Sequence, residues 1–532
     1  VAGLREDYPH SELDHAWRLV LLHQFHDMLP GSSIHWVHEE SRAAYVAVAA
    51  MALDVIERAC ANVAAGVDAG AGGTGVVVFN AASHDRRDLV VLDRAVLAAT
   101  DLEARDLVCM KPHGSDPLGP VQELADGSFG VVASVPGCGW AGYALVPAGD
   151  HGHARRYETG YDEASILAEQ DGFVLSNGVI TARVGLDGTL SSLLDRRTGR
   201  QLIAEGATGN VFQLHYDLPN DTDAWDVDQG SFARASELRD AESAEIVESG
   251  PVRAALRVVH RFGSSLLTQE IRLVAGSPRL EFATEVEWAE RHRFLKVAFP
   301  LAVRAPAASF EVQFGYVARP THANTSWDAA RFEVPAQRWA DLSEPGCGMA
   351  LINDCKYGYD VRGSVMRLSL LRGPTWPDPE ADQGTHRFSY AVMPHLGLTS
   401  SLLQAGSVTD EAEAFNLPLR AVPVTQHPAP HGSPSEGRLL EVRSAMVSAL
   451  KLADDGGGVV VRVFEPAGAH AQLSLRTGSA LTPCSAAALT DALERPSSAV
   501  ELGPDGTVER DLRPFELLTV VLRGAAPHPE PS

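Results

Sequence analysis

Six of the chain's 20 histidines fall within its first 38 residues: His10, His15, His23, His26, His35 and His38. One short segment, His23-Gln24-Phe25-His26-Asp27-Met28-Leu29-Pro30-Gly31-Ser32, sets two of them beside a carboxylate. A neutral imidazole is a good ligand for zinc or cobalt, and an adjacent carboxylate can orient it or reach a substrate. If the segment is helical, a spacing of three puts His23 and His26 on one side. Two histidines and an aspartate are still fewer donors than a metal centre takes. From spacing alone, surface or satisfied structural histidines are the commoner reading.

Those residues need a frame. From Ser11 to Met28, apolar side chains recur at Leu13, Ala16, Trp17, Val20, Leu21 and Phe25, the rhythm of a helix with one buried face. Ser11 suits an N-cap, Asp14 adds acid to the first turn, and Pro30-Gly31 stops the helix. A second helix is expected from about Ser33 to Ala65, making a helical-bundle segment over 1–66. Gly66 to Gly75 reads as a linker. From Val76 onward, short β-branched and aromatic runs alternate with Gly, Pro, Asp and Asn, which predicts β-sandwiches. Asp187-Gly188 predicts a hairpin turn. Polar or Pro-rich breaks at Gly149–Tyr161 and Pro423–Gly437 divide the rest into a small β-sandwich over 76–148, a large one over 165–422 and a C-terminal β module over 438–522. The expected fold is therefore mainly β with an N-terminal helical segment.

Composition narrows the function classes. The 532 residues carry a net charge of −25 without a Lys/Arg cluster, which argues against a nucleic-acid partner. No apolar run is long enough to span a membrane, and the first residues lack a secretory pattern. The six cysteines form no C-x-x-C pair, so neither a zinc knuckle nor a disulfide framework is expected. Free thiols fit a reducing compartment such as the cytoplasm.

The string Gln24-Phe25-His26-Asp27 with Pro30-Gly31-Ser32 resembles the last active-site motif of the family-38 α-mannosidases. Five further strings follow in that family's order. They are Val78-Phe79-Asn80-Ala81; Asp217-Leu218-Pro219-Asn220 with Ala224-Trp225-Asp226; Glu287-Trp288 through Leu295-Lys296-Val297-Ala298-Phe299-Pro300; Arg319-Pro320-Thr321-His322 through Asn324-Thr325-Ser326-Trp327-Asp328; and Asn353-Asp354-Cys355-Lys356-Tyr357-Gly358. The last two are similar to the cytosolic and bacterial branch in particular. One departure is His23, where that branch usually carries Asn.

The resemblance implies a retaining exo-α-mannosidase acting on α-mannosides or oligomannose. It also implies one divalent metal, zinc first and cobalt or manganese as the others. By the same likeness, His26 matches a metal ligand and Asp27 a substrate-contacting carboxylate. The family's other ligands, its nucleophile and its acid/base carboxylate belong to an upstream region that the chain does not contain. Since a retaining mechanism needs two carboxylates about 5–5.5 Å apart across the scissile bond, the chain alone is expected to hydrolyse nothing appreciable. The branch also suggests a homo-oligomer.

Trp225, Trp327 and Tyr357 are candidates for stacking on sugar rings, against the commoner reading of core or loop packing. Asp217, Asp226, Asp354 and Lys356 could line a mannoside pocket or be turn residues and surface pairs. The alternative function is a non-catalytic carbohydrate-binding or scaffolding β protein. A third reading, a β-sandwich lyase or epimerase, would need His215, His260 and His395 to meet.

Overall fold

Strict alternation builds the centre of the molecule. In the strand Ser265–Val274, Leu267, Gln269, Ile271 and Leu273 are buried while their neighbours are half-exposed, and in Leu280–Trp288 the same holds for Leu280, Phe282, Thr284, Val286 and Trp288. A period of two directs one face of each strand inward. Arg253–Phe262 turns into Ser265–Val274 through Gly263 and Ser264, with Phe262 opposite Ser265 and Gly263 at φ +53°. A two-residue hairpin loop requires that left-handed conformation. These strands belong to a nine-stranded antiparallel sheet running from Ser243–Ser249 at one edge to Gly315–Pro320 at the other.

A six-stranded sheet and a five-stranded sheet share its core. Phe282 and Tyr390 stack at 4.9 Å, and Phe299 of the six-stranded sheet packs edge-on to Tyr390. The hairpin at Asp187-Gly188 is present: Ile180–Gly185 pairs with Leu190–Asp195, and Gly188 sits at φ +74°. Inside the six-stranded sheet, Lys296 is fully buried, and its Nζ lies 2.5 Å from both Glu333 and Asp360. A charge in such a place is tolerated because two carboxylates compensate it.

A smaller sandwich joins a three-stranded sheet to a six-stranded one around Val78, Val90, Val131 and Tyr143. It is completed late in the chain, since Arg420–Val424 pairs with the strand Thr74–Asn80 and Glu436–Arg438 pairs with Gly139–Pro147. A C-terminal module of three- and five-stranded sheets closes over Val461, Val463, Leu473 and Val520.

The N-terminal segment is helical: α1 spans His10–Leu22 and α2 His35–Ala64. The chain is thus mainly β with an N-terminal helical segment, as the sequence led us to expect. Details of α1 differ. It starts after Pro9 without a side-chain cap and ends at Leu22, short of Met28. Its apolar stripe is not buried, Trp17 being 62% exposed and Leu21, Leu22 and Phe25 much the same. The segment packs against α2, with Tyr45 donating to the His23 carbonyl and Arg58 to Glu12. With nothing covering the stripe, little repays a longer helix. The chain instead turns, with the Met28 and Leu29 N–H groups both on the Phe25 carbonyl, and Gly31 takes φ +76°.

The computed structural model describes residues 8–524 apart from 71–72, 97–103, 113, 115–116, 149–161, 398–405, 425–432 and 482. The break expected at Gly149–Tyr161 and the centre of that at Pro423–Gly437 lie outside the described residues.

Candidate functional site

Three neighbouring strands of the six-stranded sheet, Val211–Tyr216, Arg293–Pro300 and Val365–Arg372, end side by side, with Tyr216 opposite Arg293 and Phe294 opposite Arg372. The backbone continues the pairing into the loops. Asp217 N–H donates to the His292 carbonyl at 2.9 Å, His292 N–H to Gly373 at 2.7 Å, and Ala224 N–H to Trp376 at 3.2 Å. Loops held this way present fixed side chains at the sheet's end.

Arg372 organises them. Its Nε donates to Asp217 Oδ2 at 2.7 Å, and its terminal nitrogens reach the carbonyls of Asp223, Ala224 and Asp226 at 3.1, 3.4 and 2.8 Å. The five-donor guanidinium fork is suited to such a convergence. Asp217 is completely buried; desolvation pushes its carboxyl above the ordinary carboxylate range, with Arg372 opposing. Asp223 Oδ2 accepts from Thr375 N at 2.6 Å and from Thr375 Oγ1 at 3.3 Å. His292, at φ +53°, sets its Nε2 3.3 Å from the same hydroxyl. Above these lies an open cleft of about 370 Å³ lined by Leu218, Pro219, Thr222, Asp223, His292 and Trp376. Trp376 and Trp225, both exposed, stand with ring centroids 5.7 Å apart.

The helical segment approaches this end of the sheet. His35, the first residue of α2, places Nδ1 3.1 Å from Asp378 Oδ1, two residues beyond Trp376. Upstream of it, His26 is three-quarters exposed and its Nε2 is 3.6 Å from Asp27 Oδ2. Asp27 is fixed by Ser32 Oγ on its carboxylate at 3.3 Å and Ser33 Oγ on its carbonyl at 2.7 Å. His23 is buried against Tyr45, at a ring distance of 5.7 Å. Because α1 ends before His26, the two histidines do not share a helix face. That expectation is corrected.

A metal needs more donors than this turn offers. Among the described residues no group of three or more His, Cys, Asp or Glu side chains could hold an ion. The exposed imidazole of His26 fits one corner of a metal site, and the described residues do not fit a whole one. All six cysteines are free, and burial pushes the thiols of Cys109 and Cys138 up to about 12.

The other candidates separate clearly. Trp225, Trp327 and Tyr357 are all exposed, the last two by 78% and 64%, so none is a core residue. Asp226 accepts from Thr222 Oγ1 at 2.8 Å and Asp354 from Ser389 N at 2.9 Å, while the Lys356 ammonium lies 4.4 Å over the Phe388 ring with its pKa lowered by burial. His215, His260 and His395 do not meet. His215 packs between Phe232 and Phe294, His260 lies 3.3 Å from the Asp240 carbonyl, and His395 is 2.6 Å from Asp341. Sequence reasoning missed Asp223, His292, Arg372, Thr375 and Trp376. The available signal was the Gly373-Pro374-Thr375-Trp376-Pro377-Asp378 loop, dense in turn residues around an aromatic.

Comparison with known proteins agrees with this architecture. Residues 175–380 match the glycosyl hydrolases family 38 C-terminal domain, residues 2–63 the alpha mannosidase middle domain, and residues 444–520 the glycosyl hydrolases family 38 C-terminal beta sandwich domain. The chain is 38% identical over 522 residues to human "Alpha-mannosidase 2C1", covering 97% of this chain and 46% of that protein. It is 30% identical over 493 residues to "Alpha-mannosidase G" of Dictyostelium discoideum, covering 87% of this chain and 44% of that one. The crystal structure of an alpha-mannosidase from Enterococcus faecalis V583 has the same fold, with a TM-score of 0.77 at 18% identity over 98% of this chain and 64% of that chain.

The chain belongs to glycoside hydrolase family 38 and corresponds to the C-terminal half of its α-mannosidases. It spans about half the length of the curated relatives it matches.

Proposed function

We propose that this chain is the C-terminal part of a retaining, metal-dependent α-mannosidase that removes terminal α-D-mannose in the cytoplasm. His26 supplies one metal ligand and Asp27 contacts the terminal sugar. The remaining ligands and both catalytic carboxylates lie in the part of the relatives' length that this chain does not span. The metal, when bound, polarises sugar hydroxyls as a Lewis acid. The residues of this chain hold and orient: Ser32 and Ser33 fix Asp27, and His35 ties the start of α2 to Asp378 beside the cleft.

The observation that carries the reading is the exposed His26 imidazole next to a carboxylate pinned in place, in a turn leading straight to an element anchored at the cleft. The cytoplasmic placement is supported by six unpaired cysteines. The test is hydrolysis of an aryl α-mannoside by the chain fused to its natural upstream sequence. Turnover that releases α-configured mannose first, and that falls at least about 100-fold in His26→Ala, is the expected result. A fusion that binds mannosides without turnover would favour the carbohydrate-binding alternative.

A further inference from the structure

A second cleft, of about 400 Å³, lies between the small sandwich and the C-terminal module, far along the chain from the His26 turn. Its wall includes Ser83, His84, Asp85, Asp410 and Arg438. His84 stands in the turn between the strands Thr74–Asn80 and Arg86–Leu92, and Asp410 belongs to the helix Val408–Asn416.

That helix is fastened to the large sandwich. Val408 and Ala412 pack with Trp339, Ile352 and Met393, Asn416 Nδ2 donates to the Asn353 carbonyl at 3.1 Å, and Arg279 donates to Glu411 at 2.5 Å. Its other side reaches the small sandwich. Glu413 Oε2 accepts from Ser83 N at 3.2 Å and from Ser83 Oγ at 3.1 Å, while Arg86 donates to the Ala414 carbonyl at 3.0 Å.

His84 sits in the middle of this joint. Its Nδ1 is 3.3 Å from Glu413 Oε2 and 3.5 Å from Asp410 Oδ1, with no aligned hydrogen bond to either. Charge is therefore what draws the three groups together. A ring protonated on both nitrogens attracts both carboxylates, whereas a neutral ring with its proton on Nε2 turns a lone pair toward two anions. Asp410 and Glu413, three residues apart on one helix face, then repel each other without the ring to compensate. The surrounding charges are engaged elsewhere: Arg86 on helix carbonyls, Asp85 with Arg438 at 3.2 Å, and Glu441 of the opposite wall with Arg476 at 2.7 Å. Arg443 also lines the cleft. Because His84 is part of the wall, solvent can protonate it while the carboxylates stay largely buried.

We propose that the contact of His84 with Asp410 and Glu413 is a pH-sensitive joint. The charged imidazole locks the Ala81–Asp85 turn of the small sandwich onto the helix of the large one, and the neutral imidazole loosens both. The joint stands independently of the α-mannosidase reading. Burial opposes the ring's charge, Glu413 and Asp410 outweigh it with Arg86 against them, and the His84 pKa lies above its ordinary 6.5. A raised pKa of this kind gives a stabilisation that is complete below 6.5 and lost as pH rises through the folded-state value.

The test is amide hydrogen exchange of the 532-residue chain and of His84→Gln at pH 6 and pH 9, read by mass spectrometry on peptides covering 81–86 and 408–416. Comparing the two proteins at the same pH removes the base catalysis of exchange. At pH 6 the variant should exchange about fivefold faster in both segments, and at pH 9 the two proteins should agree within about twofold. Equal rates at pH 6, or the same ratio at both pH values, would overturn the joint. The unmodified chain supplies a second readout that does not depend on the variant folding. After correction for intrinsic rates, its two segments should lose protection between pH 6 and pH 9 while the central strand Ser265–Val274 keeps it. Retained protection in both segments would also overturn the joint.

Discussion

Arg372 is four-fifths buried, and its guanidinium is the counterpart of an Asp217 carboxylate with no exposure at all. Removing one partner of a buried charged pair costs more than the pair is worth, because the other is left desolvated and alone. Arg372→Ala should therefore destabilise the chain by about 3–5 kcal/mol, read as a shift of the urea midpoint. A loss below about 1 kcal/mol would mean that water reaches Asp217 in the native state. His215 offers a pH signature. Burial, helped by the nearby Lys296 charge, depresses its pKa to about 4 from 6.5. The unfolded chain thus takes up a proton below pH 6.5 that the native chain refuses until about pH 4. Stability present above pH 6.5 falls across this window, by roughly 3 kcal/mol at its end. His215→Leu should flatten that decline, measured as denaturation midpoints at pH 7 and pH 5. An unchanged slope would assign it to other groups. At this scale the sequence was legible where types are rare: His26-Asp27 and Trp225 stood out. Arg372, His292 and Thr375 did not, because an arginine reaching three carbonyls and a histidine at positive φ look ordinary in a string of letters.

The elements were legible by period and misread at their environment. The β alternation of Ser265–Val274 and the Asp187-Gly188 hairpin follow from local rules, and both are present. The α1 stripe was an equally clear pattern, yet Trp17, Leu21 and Leu22 face outward. Periodicity says that a face is apolar and not what covers it. Leu21→Gln should accordingly change the stability of this chain by no more than about 0.5 kcal/mol. A loss above 2 kcal/mol in thermal or urea unfolding would show that the face is buried in solution. In a fusion carrying the upstream sequence the same substitution should cost more, if that region packs on α1.

Across the whole molecule, the chain is organised around the nine-stranded sheet and its partners, with the small sandwich closed by a strand from Arg420–Val424. That return pairing was invisible in the sequence, since the partners are separated by the entire large sandwich and neither carries a mark of the other. No described helix is long and apolar enough to cross a membrane. Family membership rests on three matched regions and on relatives aligned over nearly all of the chain, of whose length it spans about half. The division of labour proposed here follows: this chain holds one ligand and shapes the sugar site, and the bond-breaking carboxylates are elsewhere. The most direct test assays aryl α-mannoside hydrolysis with zinc or cobalt by the 532-residue chain, by its fusion to the natural upstream sequence, and by that fusion carrying His26→Ala. The account predicts turnover by the intact fusion alone. Turnover by the 532-residue chain itself would contradict it and place the chemistry within this chain.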